Sequence, residues 1–222
     1  MSATQTHAWL DQLQQCLENP LAVDQLRGRW LAGIIGDRPS TFARSPKLWN
    51  AAFQALGWEA RYVPFDVALA RLSDLVNTLR EGEQFLGGSV TVPYKVSVLP
   101  LLDEVDPLAA QIGAVNTIVR TPQGRLIGYN TDGLGGVKCL TEPVLEGQAP
   151  PLRSLESVTV VLIGSGGAAQ ALACTLACSM DAGGRLIVVG RTPERVVTLN
   201  QRAGRDARVR IEAASEANLM RH

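Results

Sequence analysis

Lys95 closes the run Ser89-Val90-Thr91-Val92-Pro93-Tyr94-Lys95. Val90 and Val92 suit one buried face of a strand with Thr91 on the other, and Pro93, which has no N–H to donate, ends the ladder. The amine is therefore delivered just past a strand end. Held there, partly out of water and near a carboxylate, a lysine can be positioned and tuned for proton transfer in a way a freely solvated one cannot; the plain alternative is an exposed lysine after a turn. The carboxylate candidate is Asp132, in Leu126-Ile127-Gly128-Tyr129-Asn130-Thr131-Asp132-Gly133, where a polar cluster interrupts apolar sequence and the flanking glycines let a ligand or backbone come close. Alternatively, Asp132 caps a helix that starts near Gly133. Asn116 stands inside the β-rich run Ala114–Val119, where a buried amide needs partners; a satisfied asparagine at a sheet end would meet that need without any chemistry.

A second group of residues suits a dinucleotide. Val158 to Ile163 is a continuous aliphatic run, expected of a central parallel strand covered on both faces. Gly164-Ser165-Gly166-Gly167-Ala168-Ala169 follows directly and opens an Ala-rich helix running to about Met180. Strand, glycine turn and helix form the context in which backbone N–H groups and a positive helix dipole meet phosphate, although Gly-x-Gly-Gly-Ala is not the standard Gly-x-Gly-x-x-Gly. The next strand, Arg185 to Val189, ends in Gly190-Arg191-Thr192-Pro193-Glu194-Arg195. An acidic residue there would bind a ribose 2′-hydroxyl, whereas Arg191 and Arg195 can fork a 2′-phosphate, which predicts NADP. A solvated helix start capped by Thr192 is the alternative.

These residues need elements to position them. The first 27 residues predict an amphipathic helix with Trp9, Leu10, Leu13, Cys16 and Leu17 at helical spacing. Trp30 to Ile35 reads as a buried strand stopped by Gly36-Asp37-Arg38-Pro39-Ser40. Ser45 is expected to cap a helix beginning at Pro46 and ending at Gly57. A strand through Tyr62, Val63 and Phe65, a helix from Val67 to Arg80 and the Ser89–Lys95 stretch follow, giving an α/β domain with a mostly parallel sheet. Pro107 to Gly113 is a short helix with a glycine stop, Gly124 sits in a hairpin turn, and the proline-rich stretch Glu142 to Ser157 is an exposed connection. Composition fits this order: 222 residues, 46% hydrophobic and 19% charged, can bury a real core. Twenty-one basic and twenty-one acidic residues leave no net charge, so bulk electrostatics recruit neither nucleic acid nor an anionic membrane. Cys16, Cys139, Cys174 and Cys178 form no tight pair, and no metal site is expected. With neither an export signal nor an apolar run of membrane-spanning length, the expected location is the reducing cytoplasm.

Ser45-Pro46, Val90-Thr91-Val92-Pro93-Tyr94-Lys95, Gly113-Ala114-Val115-Asn116-Thr117 and Gly128-Tyr129-Asn130-Thr131-Asp132-Gly133 occur in the order and spacing of the shikimate dehydrogenase family, which includes quinate/shikimate dehydrogenases, and over about residues 30–204 the chain resembles it. The resemblance implies a substrate and catalytic domain over 1–133 and an incomplete Rossmann-like NADP domain over 134–222, with a linker at about 142–157. It further implies a cleft in which an alicyclic hydroxy acid such as shikimate or quinate meets a nicotinamide, in a monomer or homodimer. Lys95 and Asp132 become the catalytic pair, Thr91 and Asn116 ligands of substrate hydroxyls, and Ser45 one of two serines on the substrate carboxylate. Gly164, Ser165, Gly166, Gly167, Ala168, Arg191, Thr192 and Arg195 become cofactor contacts.

Three departures stand out. Ala43-Arg44-Ser45-Pro46 replaces Ser-x-Ser-Pro, which removes one carboxylate ligand and weakens binding by roughly 1.5–3 kcal/mol, with Ser40, Thr41 and Arg44 as candidates to compensate. Gly190 stands for an asparagine of the family's Asn-Arg-Thr motif. The sequence also ends at His222, short of a usual member's last strands and returning helix. Two functions are therefore carried forward: an NADP-dependent shikimate dehydrogenase, and a catalytically weak relative that binds a shikimate-like acid or nucleotide as a sensor or remnant.

Overall fold

The computed structural model describes residues 3–143, 145–190, 198–199, 201–203 and 207–214. Within them the chain forms two compact units, Met1–Asp106 with Val115–Tyr129, and Pro107–Ala114 with Asn130–His222.

The first unit begins with α1 (Ala3–Gln15), which ends earlier than its apolar spacing predicts because Asn19-Pro20 lies ahead; Trp9, Leu10, Leu13 and Cys16 are buried as expected. Trp9 Nε1 donates to the Thr78 carbonyl at 2.7 Å and its ring lies against Gly82, where a Cβ would come within 2.1 Å. α2 (Val23–Leu26), β1 (Trp30–Gly36), α3 (Pro39–Phe42), α4 (Ser45–Ala55), β2 (Ala60–Asp66), α5 (Leu72–Glu81), β3 (Phe85–Val90) and β4 (Glu104–Val105) follow. After an excursion into the second unit the chain returns as β5 (Thr117–Arg120) and β6 (Leu126–Tyr129). The sheet order is β2-β1-β3-β5-β6-β4. β1 runs parallel to β2 and β3, since helices carry the chain back between them, whereas β5 and β6 are antiparallel about a turn in which Gly124 takes φ +83°.

The second unit holds α6 (Pro107–Ile112), α7 (Asp132–Thr141), β7 (Thr159–Ile163), α8 (Gly167–Ser179), β8 (Arg185–Val189) and β9 (Ile211–Ala214), with β7, β8 and β9 in one parallel sheet in that order. Strand, glycine turn, helix and strand make it Rossmann-like, and α8 packs its alanine-rich face with Leu176 and Met180 on Leu186, Val188 and Ile211. The expectation that Val158–Ile163 is covered on both faces does not hold for the described residues: β7 is an edge strand among them, and Val161 and Ile163 are 41% and 75% exposed. The described residues of the stretch 142–157 form a mostly exposed connection, anchored where the Leu152 N–H donates to the Leu140 carbonyl at 2.8 Å. Among the described residues no helix is long and apolar enough to cross a membrane, and no His, Cys, Asp and Glu side chains group around a potential metal site.

Candidate functional site

The C-terminal end of β3 gathers the first set of residues. β3 stops at Val90, so the expected strand through Val92 is shorter than its pattern suggests, and Val92 is 63% exposed. The Thr91 N–H still completes the ladder by donating to the Ile35 carbonyl at 2.9 Å, and the chain then turns as Tyr94 N–H donates to the Thr91 carbonyl at 3.0 Å. Tyr94 is buried and its hydroxyl donates to the Val67 carbonyl at 2.7 Å, which anchors the turn beside Lys95. Lys95 is half-buried, and its carbonyl accepts from Val115 N–H at 2.7 Å. Asn116 immediately precedes β5; its carbonyl accepts from Val90 N–H at 2.7 Å, its own N–H donates to the Tyr129 carbonyl at 3.0 Å, and its Oδ1 accepts from the Thr117 hydroxyl at 2.9 Å. Thr91, Lys95 and Asn116 therefore surround one strand end. Gly36 permits this: a Cβ there would lie 2.6 Å from Thr91 Cγ2.

Ser45 belongs to the same unit but does not cap as expected. It is the first residue of α4, Arg44 occupies the cap position, and no side chain closes the helix start. The Ser45 Oγ is buried and makes no hydrogen bond of normal geometry, although it lies close enough to the Tyr62 hydroxyl to favour that phenol's ionised form. Tyr62, on β2, donates its hydroxyl to Ser89 Oγ at 2.9 Å, reaching across β1 because the order β2-β1-β3 and the pairs Ala32↔Tyr62 and Ile34↔Ser89 put both on one face. Two hydrogen bonds between Asn50 and the Tyr62 backbone, at 2.8 and 2.9 Å, fix α4 to β2, and Trp49 stacks on the Tyr62 ring at 6.1 Å. Burial pushes the Tyr62 phenol above its ordinary pKa, more than Ser89 and Ser45 pull it down. Ala43 packs its methyl against the cluster containing Tyr62.

Of the three candidates to compensate for Ala43, Ser40 gives both N–H and hydroxyl to the buried Asp66 carboxylate, Thr41 donates to the Arg38 carbonyl at 2.8 Å, and Arg44 is exposed at the start of α4. The Tyr62 hydroxyl is the one that stands near Ser45, and Ser89 is its hydrogen-bond partner. Sequence reasoning missed them because a tyrosine at an inward position of a strand reads as core.

In the second unit, Asp132 is the first residue of α7, behind Thr131, rather than its cap. Buried Asn130 holds this helix start: its Oδ1 accepts from Asp132 N–H at 3.1 Å, and its Nδ2 donates to the Ala114 carbonyl at 2.9 Å. Gly133 lets α7 lie flush on α8, since a Cβ there would come within 2.1 Å of Thr175 Oγ1 and 2.6 Å of the Ala171 carbonyl.

Gly164 takes φ +117°, a conformation glycine accepts without strain, and its N–H donates to the Val189 carbonyl at 2.8 Å. Ser165 lies against Gly190, and Gly166 caps α8, whose first residues are Gly167 and Ala168. A Cβ at Gly166 would meet no atom within 4 Å, so a pyrophosphate has open access to the backbone at the helix start. Arg191, Thr192 and Arg195 lie outside the described residues. Burial, with Cys178 nearby, pushes the Cys174 thiol up to about 11 against the opposing charge of Arg202, so that thiol is packing material and no nucleophile.

An α/β unit with polar groups at a strand end, followed by a Rossmann-like unit, places the chain among two-unit α/β folds. The chain is similar to shikimate dehydrogenases over part of their length. Residues 34–118 match the shikimate dehydrogenase substrate binding domain. The chain is 42% identical over 188 residues to the shikimate dehydrogenase (NADP(+)) of Bacillus licheniformis, an alignment covering 84% of this chain and 63% of that relative. The shikimate 5-dehydrogenase of Thermus thermophilus, solved in complex with NADP(H) and shikimate, is 31% identical with a TM-score of 0.66 over 83% of this chain and 62% of its own. The ligand-free 5-ketofructose reductase of a Gluconobacter species is 29% identical with a TM-score of 0.71, over 84% and 62%. The chain thus spans less than two thirds of the length of each of these relatives.

Proposed function

We propose that this chain carries the substrate domain and the glycine-turn half of the cofactor domain of an NADP-dependent shikimate dehydrogenase, interconverting shikimate and 3-dehydroshikimate or acting on a close relative such as quinate. Its setting would be the cytoplasm, as a monomer or homodimer. The observation that carries this reading is the gathering of Thr91, Lys95 and Asn116 around the end of β3, with the buried Ser45 hydroxyl left without a normal hydrogen bond. A buried polar atom without a partner costs free energy unless a ligand satisfies it, and a substrate carboxylate would do so.

In this reading Ser45 and Ser89 present hydroxyls to the carboxylate, with Tyr62 donating to Ser89 behind them, while Thr91 and Asn116 bind ring hydroxyls. Oxidation removes a hydride from a ring carbon and a proton from the hydroxyl on it; a bound NADP would supply the hydride acceptor. Lys95 and Asp132 are assigned as the acid–base pair for that proton by their sequence motifs. The open backbone of Gly164–Ala168 fits a pyrophosphate, and Arg191, Thr192 and Arg195 are assigned to the 2′-phosphate by their sequence position.

The test is NADPH formation, followed by absorbance, with shikimate and quinate. Turnover with NADP exceeding that with NAD, and lost in Lys95→Ala, is the expected result. Ala43 favours a second reading, a binding protein without efficient catalysis, and calorimetric binding of shikimate without turnover would select it. Preference for NAD would remove the assignment of the two arginines.

A further inference from the structure

Arg202 and Gln170 form a polar strut behind the glycine turn. Gln170 Nε2 donates to the Ser165 carbonyl at 3.2 Å, Gln170 Oε1 accepts from Arg202 Nη1 at 2.9 Å, and the same Nη1 donates to the Ile112 carbonyl at the end of α6 at 2.7 Å. Gly113, at φ +72°, makes the room, because a Cβ there would lie 2.6 Å from Arg202 Nη1. Gln111 adds a second tie by donating to the Ala203 carbonyl at 2.8 Å.

A guanidinium only donates, so it obliges the Gln170 amide to face it with oxygen and leaves the NH2 group for Ser165. Carbonyl and N–H of one planar trans peptide point in opposite directions. Holding the Ser165 carbonyl toward Gln170 therefore aims the Gly166 N–H the other way, away from Gln170. That N–H has no backbone acceptor among the described residues.

We propose that Arg202 and Gln170 are positioning residues that orient the Ser165–Gly166 peptide for a dinucleotide pyrophosphate, so that cofactor affinity depends on a guanidinium that does not itself belong to the glycine turn. The inference rests on the NADP-binding reading above. Neither residue touches the cofactor in this scheme; the turn's N–H groups do.

NADPH fluorescence titration of the full 222-residue chain tests it. Arg202→Met keeps the stem and removes the fork; Gln170→Glu keeps an acceptor for Arg202 and removes the donor to Ser165. Each is expected to raise the NADPH Kd about tenfold or more, the scale of one lost hydrogen bond to a charged group, while the shikimate KM at saturating NADP stays within about twofold. The double variant should be no worse than the weaker-binding single one. Wild-type binding with an unchanged Kd in both variants, even with a lowered Tm, overturns the inference and reduces the strut to a structural brace. If Arg202→Met fails to fold, Gln170→Glu decides alone. Absence of NADPH binding by the wild type is a different failure, which removes the cofactor reading and the inference with it.

Discussion

Tyr62 carries its hydroxyl across β1 to Ser89, beside the buried Ser45 oxygen and the methyl of Ala43. Because burial raises its pKa above 10.0, the phenol keeps its proton throughout the neutral range and goes on donating to Ser89, which leaves the Ser89 proton for a carboxylate. Tyr62→Phe is expected to raise the shikimate KM about tenfold, and Ala43→Ser to lower it by a similar factor, with kcat changed far less in both, as initial rates would show. Asn130 acts on the other candidate residue, Asp132. Asn130→Ala removes both of its hydrogen bonds and should cost about 2 kcal/mol in denaturant titration, and Asn130→Asp should cost more because it sets a buried carboxylate against the Ala114 carbonyl. A motif marks Asn130 in the sequence, but its task is visible only once Ala114 and Asp132 are seen on either side of it.

At the scale of elements, most boundaries followed from local chemistry. Gly36, Gly113 and Gly124 end or turn segments where the pattern predicts, and the strand–helix alternation gives the parallel β2-β1-β3 core with an antiparallel hairpin beside it. The failures were local as well. Val92 alternates with Val90 like a strand residue, yet the Tyr94 bond to Thr91 has already turned the chain. Ser45 followed by Pro46 has the look of a cap, but its hydroxyl faces Tyr62 instead. The contact of α7 with α8 depends on Gly133, so Gly133→Ala should lift the helix carrying Asp132 and lower stability by about 1–3 kcal/mol in thermal melts. Thr175→Ala in the same chain should restore part of that loss and no more, since the Ala171 carbonyl remains within 2.6 Å of the new methyl.

At the scale of the whole molecule, Asp103 braces the first unit. Its carboxylate accepts from Leu126 N–H at 2.7 Å and from Arg80 at 3.0 Å, while Arg80 also donates to the Leu101 carbonyl, so helix α5, the turn before β4 and strand β6 meet at one side chain. The Leu126 N–H first, then Arg80 and Arg125, hold its pKa below the ordinary 3.8. A lowered carboxyl pKa contributes stability that is present above the unfolded value and lost as pH falls through the folded one. Asp103→Asn should therefore lower the Tm at neutral pH and flatten its decline in acid below about pH 4, compared across a series of buffered melts.

What the amino-acid sequence determined by itself was the order of elements, the glycine turns and the places where Thr91, Lys95, Asn116, Asp132 and the Gly164–Ala168 turn would emerge, because strand alternation, helix periodicity and turn chemistry are properties of neighbouring residues. The tertiary structure alone decided that Tyr62 and Ser89 share a hydrogen bond near Ser45, that Asp66 occupies Ser40, and that Arg202 reaches both Gln170 and Ile112. These bonded partners lie between 26 and 90 residues apart in the chain, and only sheet register and helix packing bring them within hydrogen-bond distance, which no local pattern encodes.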